Sequence, residues 1–148
     1  ESYREYRLDL WIGWPFQTTL AVSRMIIAGM FDAYPDFPLI VSHLGGNLHS
    51  MCERIEMAAL NGPTQRKPME YLRRFYYDTA GPVPPAAVGY ALEMFGSERI
   101  VFGSDYPFGP GGGETYIRKA ILCIEAQDCP PAEKEAMFSE NARRILGL

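Results

Sequence analysis

Three short apolar runs divide the chain. They cover residues 38–43 (PLIVSH), 73–79 (RRFYYDT) and 99–105 (RIVFGSD). Each is rich in β-branched or aromatic side chains, and its apolar character is nearly continuous rather than alternating. Continuous runs are typical of parallel strands that are covered on both faces. The pattern therefore predicts three buried parallel strands.

Helical spacing of apolar residues fills the segments before, between and after these strands. It predicts helices over residues 18–34, 47–60, 84–95, 114–127 and 131–146. Strands that alternate with helices imply βαβ units and hence a parallel α/β sheet. The segments 61–68 and 108–113 are predicted to be loops within one domain that spans residues 1–148.

The first two helices carry specific expectations. In the first, Thr18 or Thr19 is the expected N-cap, and one face is expected to hold Leu20, Ile27, Phe31 and Tyr34. In the second, Asn47 is the expected cap, ahead of Leu48, Met51, Ile55, Ala58 and Ala59 at helical spacing.

Composition narrows the class of protein. Among 148 residues the net charge is −4 and no Lys/Arg-rich run occurs, which argues against a nucleic-acid surface. No apolar stretch approaches the ~18 residues that span a bilayer. Cys52, Cys123 and Cys129 form no CxxC pair, so they are expected to be free thiols in a reducing cytoplasm.

Two predicted strands end in chemically useful side chains. His43 closes the first strand and Asp105 closes the third. In parallel α/β proteins the active site lies at the carboxyl ends of the strands, so both side chains are expected at one mouth. Asp78 ends the second strand; it either lines the same mouth or bonds loop amides.

Each candidate has a structural alternative. His43 could be a core histidine that bonds a backbone carbonyl, but Gly45 and Gly46 clear side chains from the adjoining loop, as the close approach of a ligand requires. Asp105 could be a turn or capping carboxylate. However, a carboxylate that ends a strongly apolar strand needs a cation or several donors, and a divalent metal would supply that charge.

Other features carry weaker signals. Trp11, Trp14 and Phe16 are expected to pack in the core, with the lining of an aromatic substrate pocket as the alternative. The glycine-rich stretch FGPGGGE lacks a phosphate-binding motif and is interpreted as a flexible rim loop. His49, early in a helix, is expected to be partly exposed.

The segments FPLIVSHLGGNLHSMCERIE, RFYYDTAG, RIVFGSDYPFGPGGGE and ENARRILGL together resemble the amidohydrolase superfamily. The resemblance is to the branch of aminocarboxymuconate-semialdehyde, resorcylate and carboxyvanillate decarboxylases. It implies a metal-dependent (β/α)8 TIM barrel with one divalent ion, zinc or manganese. Asp105 would then be a metal ligand, and His43 would act in acid–base catalysis.

The resemblance also implies that part of the barrel lies outside this sequence. A (β/α)8 barrel takes ~250 residues, whereas 148 residues carry three predicted strands and only two histidines. The chain lacks the H-x-H pair of the first strand and the histidine of the fifth. It is therefore expected to hold strands 6–8, the C-terminal part of the domain, with the remaining metal ligands expected from the missing N-terminal part.

Three functions follow as hypotheses. The first is non-oxidative decarboxylation of a carboxylated aromatic or enol-type acid, with Arg54 as a candidate for binding the substrate's carboxylate beside Trp14 and Phe16. The second is metal-dependent hydrolysis of a lactone, ester or amide. The third is a catalytically incomplete half-barrel that acts as an oligomer or binding module, since zinc normally takes three or four protein ligands. The resemblance further implies a homo-oligomer, a dimer or tetramer.

Overall fold

A parallel sheet of three strands forms in the order β1-β2-β3. The strands are β1 (Ile40–Val41), β2 (Tyr76–Asp78) and β3 (Ile100–Val101). The central strand pairs with both neighbours, which places Val41 beside Tyr77 and Asp78 beside Val101. The prediction of three parallel strands is therefore confirmed, and the protein is α/β.

The strands are shorter than their apolar runs, and this corrects the placement of both candidate residues. His43 and Asp105 do not end strands but lie beyond them, because β1 ends at Val41 and β3 at Val101. The φ angles of His43, Leu44 and Asp105 are +54°, +52° and +65°. Left-handed backbone of this kind cannot continue a strand ladder.

The computed structural model describes residues 4–148. It divides into two compact units. The first takes the chain up to Phe37 together with Gly45–Leu72, and the second consists of Pro38–Leu44 and Arg73–Leu148. Each unit is described separately.

The second unit holds the sheet and the C-terminal helices. These are α5 (Pro85–Phe95), α6 (Glu114–Glu125), α7 (Pro131–Glu135), a π-helical turn (Ala136–Glu140) and α8 (Asn141–Leu146). The fully buried side chains that β2, β3 and the helices contribute include Tyr77, Ile100, Val88, Ile124 and Met137. Both residues of β3 are buried, as the continuous apolar run predicts.

One buried polar side chain ties α8 to the sheet. The Asn141 amide nitrogen donates to the carbonyl oxygens of Ser97 (2.8 Å) and Ile100 (2.7 Å). Asn141 is fully buried, so these bonds satisfy an amide that would otherwise be costly to remove from water.

The first unit is helical. It contains a 3-10 turn (Glu5–Arg7), a π-helical turn (Asp9–Gly13), α1 (Trp14–Ile27), α2 (Met30–Ala33), α3 (Leu48–Ala59) and α4 (Pro68–Leu72). The predicted helix over 18–34 is thus two helices, because Gly29 lies between them with a φ of +74°. The predicted loop 61–68 ends where α4 begins, and this five-residue helix was missed because it is too short to show a helical period.

The expected N-cap of the first helix is wrong, and of the four residues expected on one face only Phe31 is buried. The helix begins before Thr18, so Thr19 lies inside it and its hydroxyl donates to the Pro15 carbonyl oxygen (2.8 Å). Leu20 and Tyr34 are largely exposed, and the buried positions of α1 are instead Thr19, Val22, Ser23 and Ile26. Because Thr19 and Ser23 are polar, a search for apolar periodicity does not identify this face as the buried one.

The contacts between α1 and the residues before α3 explain why position 46 is a glycine. The Asn47 amide donates to the Thr19 hydroxyl (2.8 Å), and a β-carbon on Gly46 would lie 2.4 Å from the Pro15 carbonyl oxygen. Gly46 therefore permits the close approach of two backbone segments of this unit. Asn47 stands at the start of α3 as expected, but its side chain makes no capping hydrogen bond.

A polar network anchored on a buried tyrosine holds the loop that precedes α4. The Tyr71 hydroxyl donates to the Asp32 carboxylate and accepts the Arg66 amide (3.2 Å). The second carboxylate oxygen of Asp32 accepts the Gln65 amide (2.9 Å). The hydrogen bond from Tyr71, helped by the Gln65 amide and the charge of Arg66, holds the pKa of Asp32 below its usual 3.8 despite some opposing burial.

No helix within residues 4–148 is long and apolar enough to cross a membrane. The three cysteines are free thiols.

We predict that Tyr71→Phe lowers the free energy of unfolding by roughly 1–3 kcal/mol, since the Arg66 amide and one Asp32 oxygen lose their partner. The matched control is Tyr34→Phe, the same chemical change on a ring that is 64% exposed, which should change stability by less than about 0.5 kcal/mol. Urea unfolding of the two variants measures both. Equal effects would contradict the network.

The same network predicts a pH dependence. Because the pKa of Asp32 is lower in the folded state than its usual 3.8, its stabilising contribution is present above that value and is lost as pH falls through the folded-state pKa. The stability difference between the wild type and Asp32→Asn should therefore be largest near neutral pH and shrink below 3.8. Urea titrations across this range test it, and a difference that grows on acidification would overturn the sign.

Candidate active site

The residues that follow β2 hold the imidazole of His43 in place. The His43 backbone amide donates to the Asp78 carboxylate (2.8 Å), and His43 Nδ1 lies 2.9 Å from the Ala80 carbonyl oxygen. A carbonyl oxygen only accepts hydrogen bonds, so Nδ1 carries the proton in the neutral ring and Nε2 carries the lone pair. His43 therefore makes the carbonyl bond that its structural alternative predicts, and that bond leaves a basic nitrogen available.

A second pair of bonds from the same segment holds the chain that leads to Asp105. The Thr79 hydroxyl donates to the Gly103 carbonyl oxygen (3.0 Å) and accepts the Gly103 amide (3.1 Å). Thr79 is 1% exposed, so this exchange is shielded from water. It continues the attachment to β2 after the β3 ladder has ended.

Asp105 itself sits in a turn. Its carbonyl oxygen accepts the Phe108 amide (2.8 Å), so the turn expected of the structural alternative is present in the backbone. The carboxylate is half-buried, and no hydrogen bond from residues 4–148 engages it. A partly desolvated carboxylate of this kind has capacity left for a cation or an external donor.

The side chains of His43 and Asp105 both lie close to Gly81. A β-carbon at this position would lie 2.9 Å from His43 Nδ1 and 3.8 Å from Asp105 Oδ2. The imidazole and the carboxylate therefore flank the same point of the backbone, as their positions after the two outer strands of one parallel sheet predict. With a φ of +80°, Gly81 is in a conformation that favours glycine.

Asp78 lies in the field of both side chains. Burial raises its pKa, while the amides of His43 and Ala80 and the charge of His43 act in the opposite direction, and the charge of Asp105 raises it further. Of the two roles considered for Asp78, the structure supports the bonding of loop amides.

The remaining predicted site residues belong to the first unit. Trp14 and Phe16 on α1 are 57% and 50% exposed, and Trp11 is 49% exposed, so the expectation of core packing is wrong for all three. Arg54 on α3 is exposed and His49 is half-buried. A role in substrate binding for Trp14, Phe16 and Arg54 stays a prediction.

The glycine-rich stretch after Asp105 has a packing role. A β-carbon at Gly109 would lie 2.6 Å from the Tyr116 ring, and one at Gly113 would lie 2.9 Å from the Pro107 carbonyl carbon. These two glycines allow close contacts, whereas Gly112 has no heavy atom within 4 Å of the same position. Flexibility of this loop stays a prediction.

The side chains of residues 4–148 do not form a complete metal site by themselves. Within residues 4–148, no group of three or more His, Cys, Asp or Glu side chains is arranged to hold a metal ion. Zinc normally takes three or four protein ligands. The unengaged carboxylate of Asp105 fits the role of one such ligand.

Thr79, Ala80 and Gly81 are the residues that sequence reasoning missed. The one feature of the sequence that could have indicated them is their position, since the segment DTAG follows the strand that becomes the middle of the sheet. Ala80 contacts His43 through its backbone carbonyl oxygen, and Gly81 acts by having no side chain, so neither residue type indicates its role.

A parallel α/β sheet with a histidine and an aspartate gathered at the carboxyl ends of its strands defines a candidate enzyme of the barrel or open-sheet class. Residues 8–148 match the family model described as Amidohydrolase. The chain belongs to this amidohydrolase family.

Several proteins that are similar to the chain are decarboxylases. A 2-amino-3-carboxymuconate-6-semialdehyde decarboxylase of Dictyostelium discoideum is 26% identical over 97% of this chain and 40% of its own length. The 5-carboxyvanillate decarboxylase of Sphingomonas paucimobilis superimposes with a TM-score of 0.84 at 28% identity, over 99% of this chain and 45% of that one. A dihydroxybenzoic acid decarboxylase from Polaromonas, solved with manganese and 2-nitroresorcinol, has a TM-score of 0.78 at 26% identity, over 90% and 41%. The chain thus spans less than half the length of these relatives.

We predict that Gly81→Ala is more destabilising than Gly112→Ala. Both glycines have left-handed φ angles, +80° and +64°, so both variants incur a backbone penalty of roughly 1–2 kcal/mol. Only at Gly81 would the new methyl group also collide with the His43 ring, which should add about 1–3 kcal/mol. Urea unfolding of the two variants provides the comparison, and equal losses would show that the ring does not sit against Gly81.

Proposed function

We propose that this chain is the C-terminal part, about strands 6–8, of a metal-dependent (β/α)8 barrel enzyme, and that residues 1–148 form a portion of that one domain. The proposed reaction is the non-oxidative decarboxylation of a carboxylated aromatic or enol-type acid. The observation that carries it is the meeting of His43 and Asp105 around Gly81 at the carboxyl end of a parallel sheet. The decarboxylase relatives support the choice of reaction.

His43 is the proposed acid–base group. With Nδ1 bonded to the Ala80 carbonyl oxygen (2.9 Å), Nε2 is the nitrogen that takes up and returns a proton. The imidazolium keeps a proton on Nδ1 as well, so the ring stays bonded to Ala80 in both protonation states. During decarboxylation the carbon–carbon bond breaks, CO2 leaves, and the proton delivered from Nε2 takes its place on the carbon.

Asp105 is the proposed metal ligand from this part of the protein. Its carboxylate has no partner among residues 4–148 and lies next to the His43 ring across Gly81. A bound divalent ion, Zn²⁺ or Mn²⁺, would supply positive charge that stabilises negative charge on substrate oxygens. Manganese in the Polaromonas relative supports a divalent ion.

Trp14, Phe16 and Arg54 are the proposed substrate-binding residues. The two aromatic rings expose apolar area suited to an aromatic acid, and the guanidinium of Arg54 matches a carboxylate. The substrate class is therefore a small carboxylic acid. We further propose a homo-oligomer, a dimer or tetramer, located in the cytoplasm, where the three free cysteines would stay reduced.

The test measures CO2 release from a panel of ortho-hydroxylated benzoic acids by the natural protein that carries this sequence, with Mn²⁺ or Zn²⁺ supplied. His43→Gln should slow release by about 100-fold or more, as expected for loss of a general acid or base. Asp105→Asn should lower both the bound metal and the rate. His49→Gln, at the chain's other histidine, is the matched control and should leave the rate unchanged.

Three other outcomes would contradict the proposal. Ring opening of lactones or cleavage of esters without CO2 release would identify the hydrolase alternative. An intact mass near 16.7 kDa, with no activity and no metal retained, would favour the incomplete half-barrel. Full activity in His43→Gln would remove the histidine from the chemistry.

A further inference from the structure

We propose that Asp78 is a positioning residue that sets the tautomer of His43, so that the ring reacts through Nε2. This inference rests on the proposed function for the role of the ring, but its structural part stands by itself. The same oxygen, Asp78 Oδ1, accepts the His43 amide at 2.8 Å and the Ala80 amide at 3.1 Å. One carboxylate thereby holds both residues that decide where the imidazole proton lies.

The first bond fixes the backbone from which the ring projects. His43 has a φ of +54°, which is uncommon for a residue other than glycine and persists only where the surroundings hold it. The bond to Asp78 holds the amide nitrogen of His43, which is one of the four atoms that define this φ angle. Without it, His43 is free to return to an ordinary negative φ, and the ring would leave its place beside Gly81.

The second bond fixes the acceptor. Asp78 holds the amide of Ala80, and the carbonyl oxygen of the same residue receives the His43 Nδ1 proton at 2.9 Å. The three contacts close a ring of interactions: carboxylate to His43 amide, His43 ring to Ala80 carbonyl, and Ala80 amide back to the carboxylate. If the proton were on Nε2 instead, the lone pair of Nδ1 would face the Ala80 carbonyl oxygen at 2.9 Å, and the ring of interactions would be broken.

The placement of Asp78 agrees with this role rather than with direct chemistry. It is part of β2, and its side chain lies against Gly103, where a β-carbon would come within 3.1 Å of Asp78 Cβ. Asp78 is thus half-buried between the segments that follow β1 and β3. It acts on the reaction through His43.

The experiment is a long-range ¹H–¹⁵N spectrum of the imidazoles, recorded at a pH where histidine is neutral. The signals that His43→Gln removes from the spectrum are those of His43, whatever other histidines the natural protein contains. In the wild type we expect a protonated Nδ1 and a bare Nε2. In Asp78→Ala we expect the Nε2-protonated form, which free imidazole side chains prefer, to make up at least half of the neutral population.

Two further variants separate the hydrogen bonds from the charge. Asp78→Asn keeps an oxygen acceptor in the same place and should retain the Nδ1-protonated form. Asp105→Asn removes the other nearby carboxylate, which makes no hydrogen bond to the ring, and should leave the tautomer unchanged. If Asp78→Ala does not fold, the wild type and Asp78→Asn can still overturn the inference, because an Nε2-protonated His43 in either protein contradicts it.

The inference is overturned by an Nε2-protonated His43 in the wild type or in Asp78→Asn, or by an unchanged tautomer in a folded Asp78→Ala. The spectrum needs no substrate and no metal. A protein that shows the expected tautomers but releases no CO2 would therefore sink the proposed reaction and leave the positioning role of Asp78 in place.

Discussion

The contacts made by the end of the central strand support everything else at this site. Because β2 lies between β1 and β3, the segment that leaves it is adjacent to the segments that leave both neighbours. Asp78 and Ala80 bind His43 on one side, Thr79 binds Gly103 on the other, and Gly81 leaves room for the imidazole and the Asp105 carboxylate to approach. Four consecutive residues thus place a histidine and an aspartate that lie 62 positions apart in the sequence.

This arrangement explains how strained backbone can persist at both candidate residues. His43 and Asp105 each adopt a left-handed φ, and conformations of this kind are typically stored at functional sites, held by the surrounding structure. On the His43 side the restraint is the half-buried carboxylate of Asp78, and on the Asp105 side it is the pair of hydrogen bonds between the buried Thr79 side chain and Gly103. The short strands are a consequence, because the chain leaves the ladder early in order to turn both side chains toward Gly81.

The sequence predicts the scaffold better than the contacts. Continuous apolar runs are enough to place three parallel strands and to bring His43 and Asp105 to the same end of the sheet, although of these three strands only β3 is buried along its whole length, and Ile40 of β1 is 45% exposed. The residues that hold the site could not be predicted from the sequence, since the bonds of His43 to Asp78 and Ala80 join positions 35 and 37 apart and both bonds use a backbone atom. In the first unit, Thr19 and Ser23 occupy buried positions through hydrogen bonds to the helix backbone, so a search for apolar periodicity selects the wrong face. Trp14 and Phe16 show the converse: large aromatic residues predict burial, yet both are exposed.

The proposal that Asp105 and His43 border a divalent-ion site at the end of β2 is tested most directly by Mn²⁺ titration of the ¹⁵N-labelled protein. Mn²⁺ broadens the signals of nuclei near it, so weak binding by a partial ligand set is still detectable. We expect that the first amide signals to broaden during the titration are those of residues 43–44, 78–81 and 103–106, and that Asp105→Asn abolishes this pattern. Broadening that begins instead at the acidic groove lined by Glu98, Asp128 and Glu133, or that survives in Asp105→Asn, would contradict it.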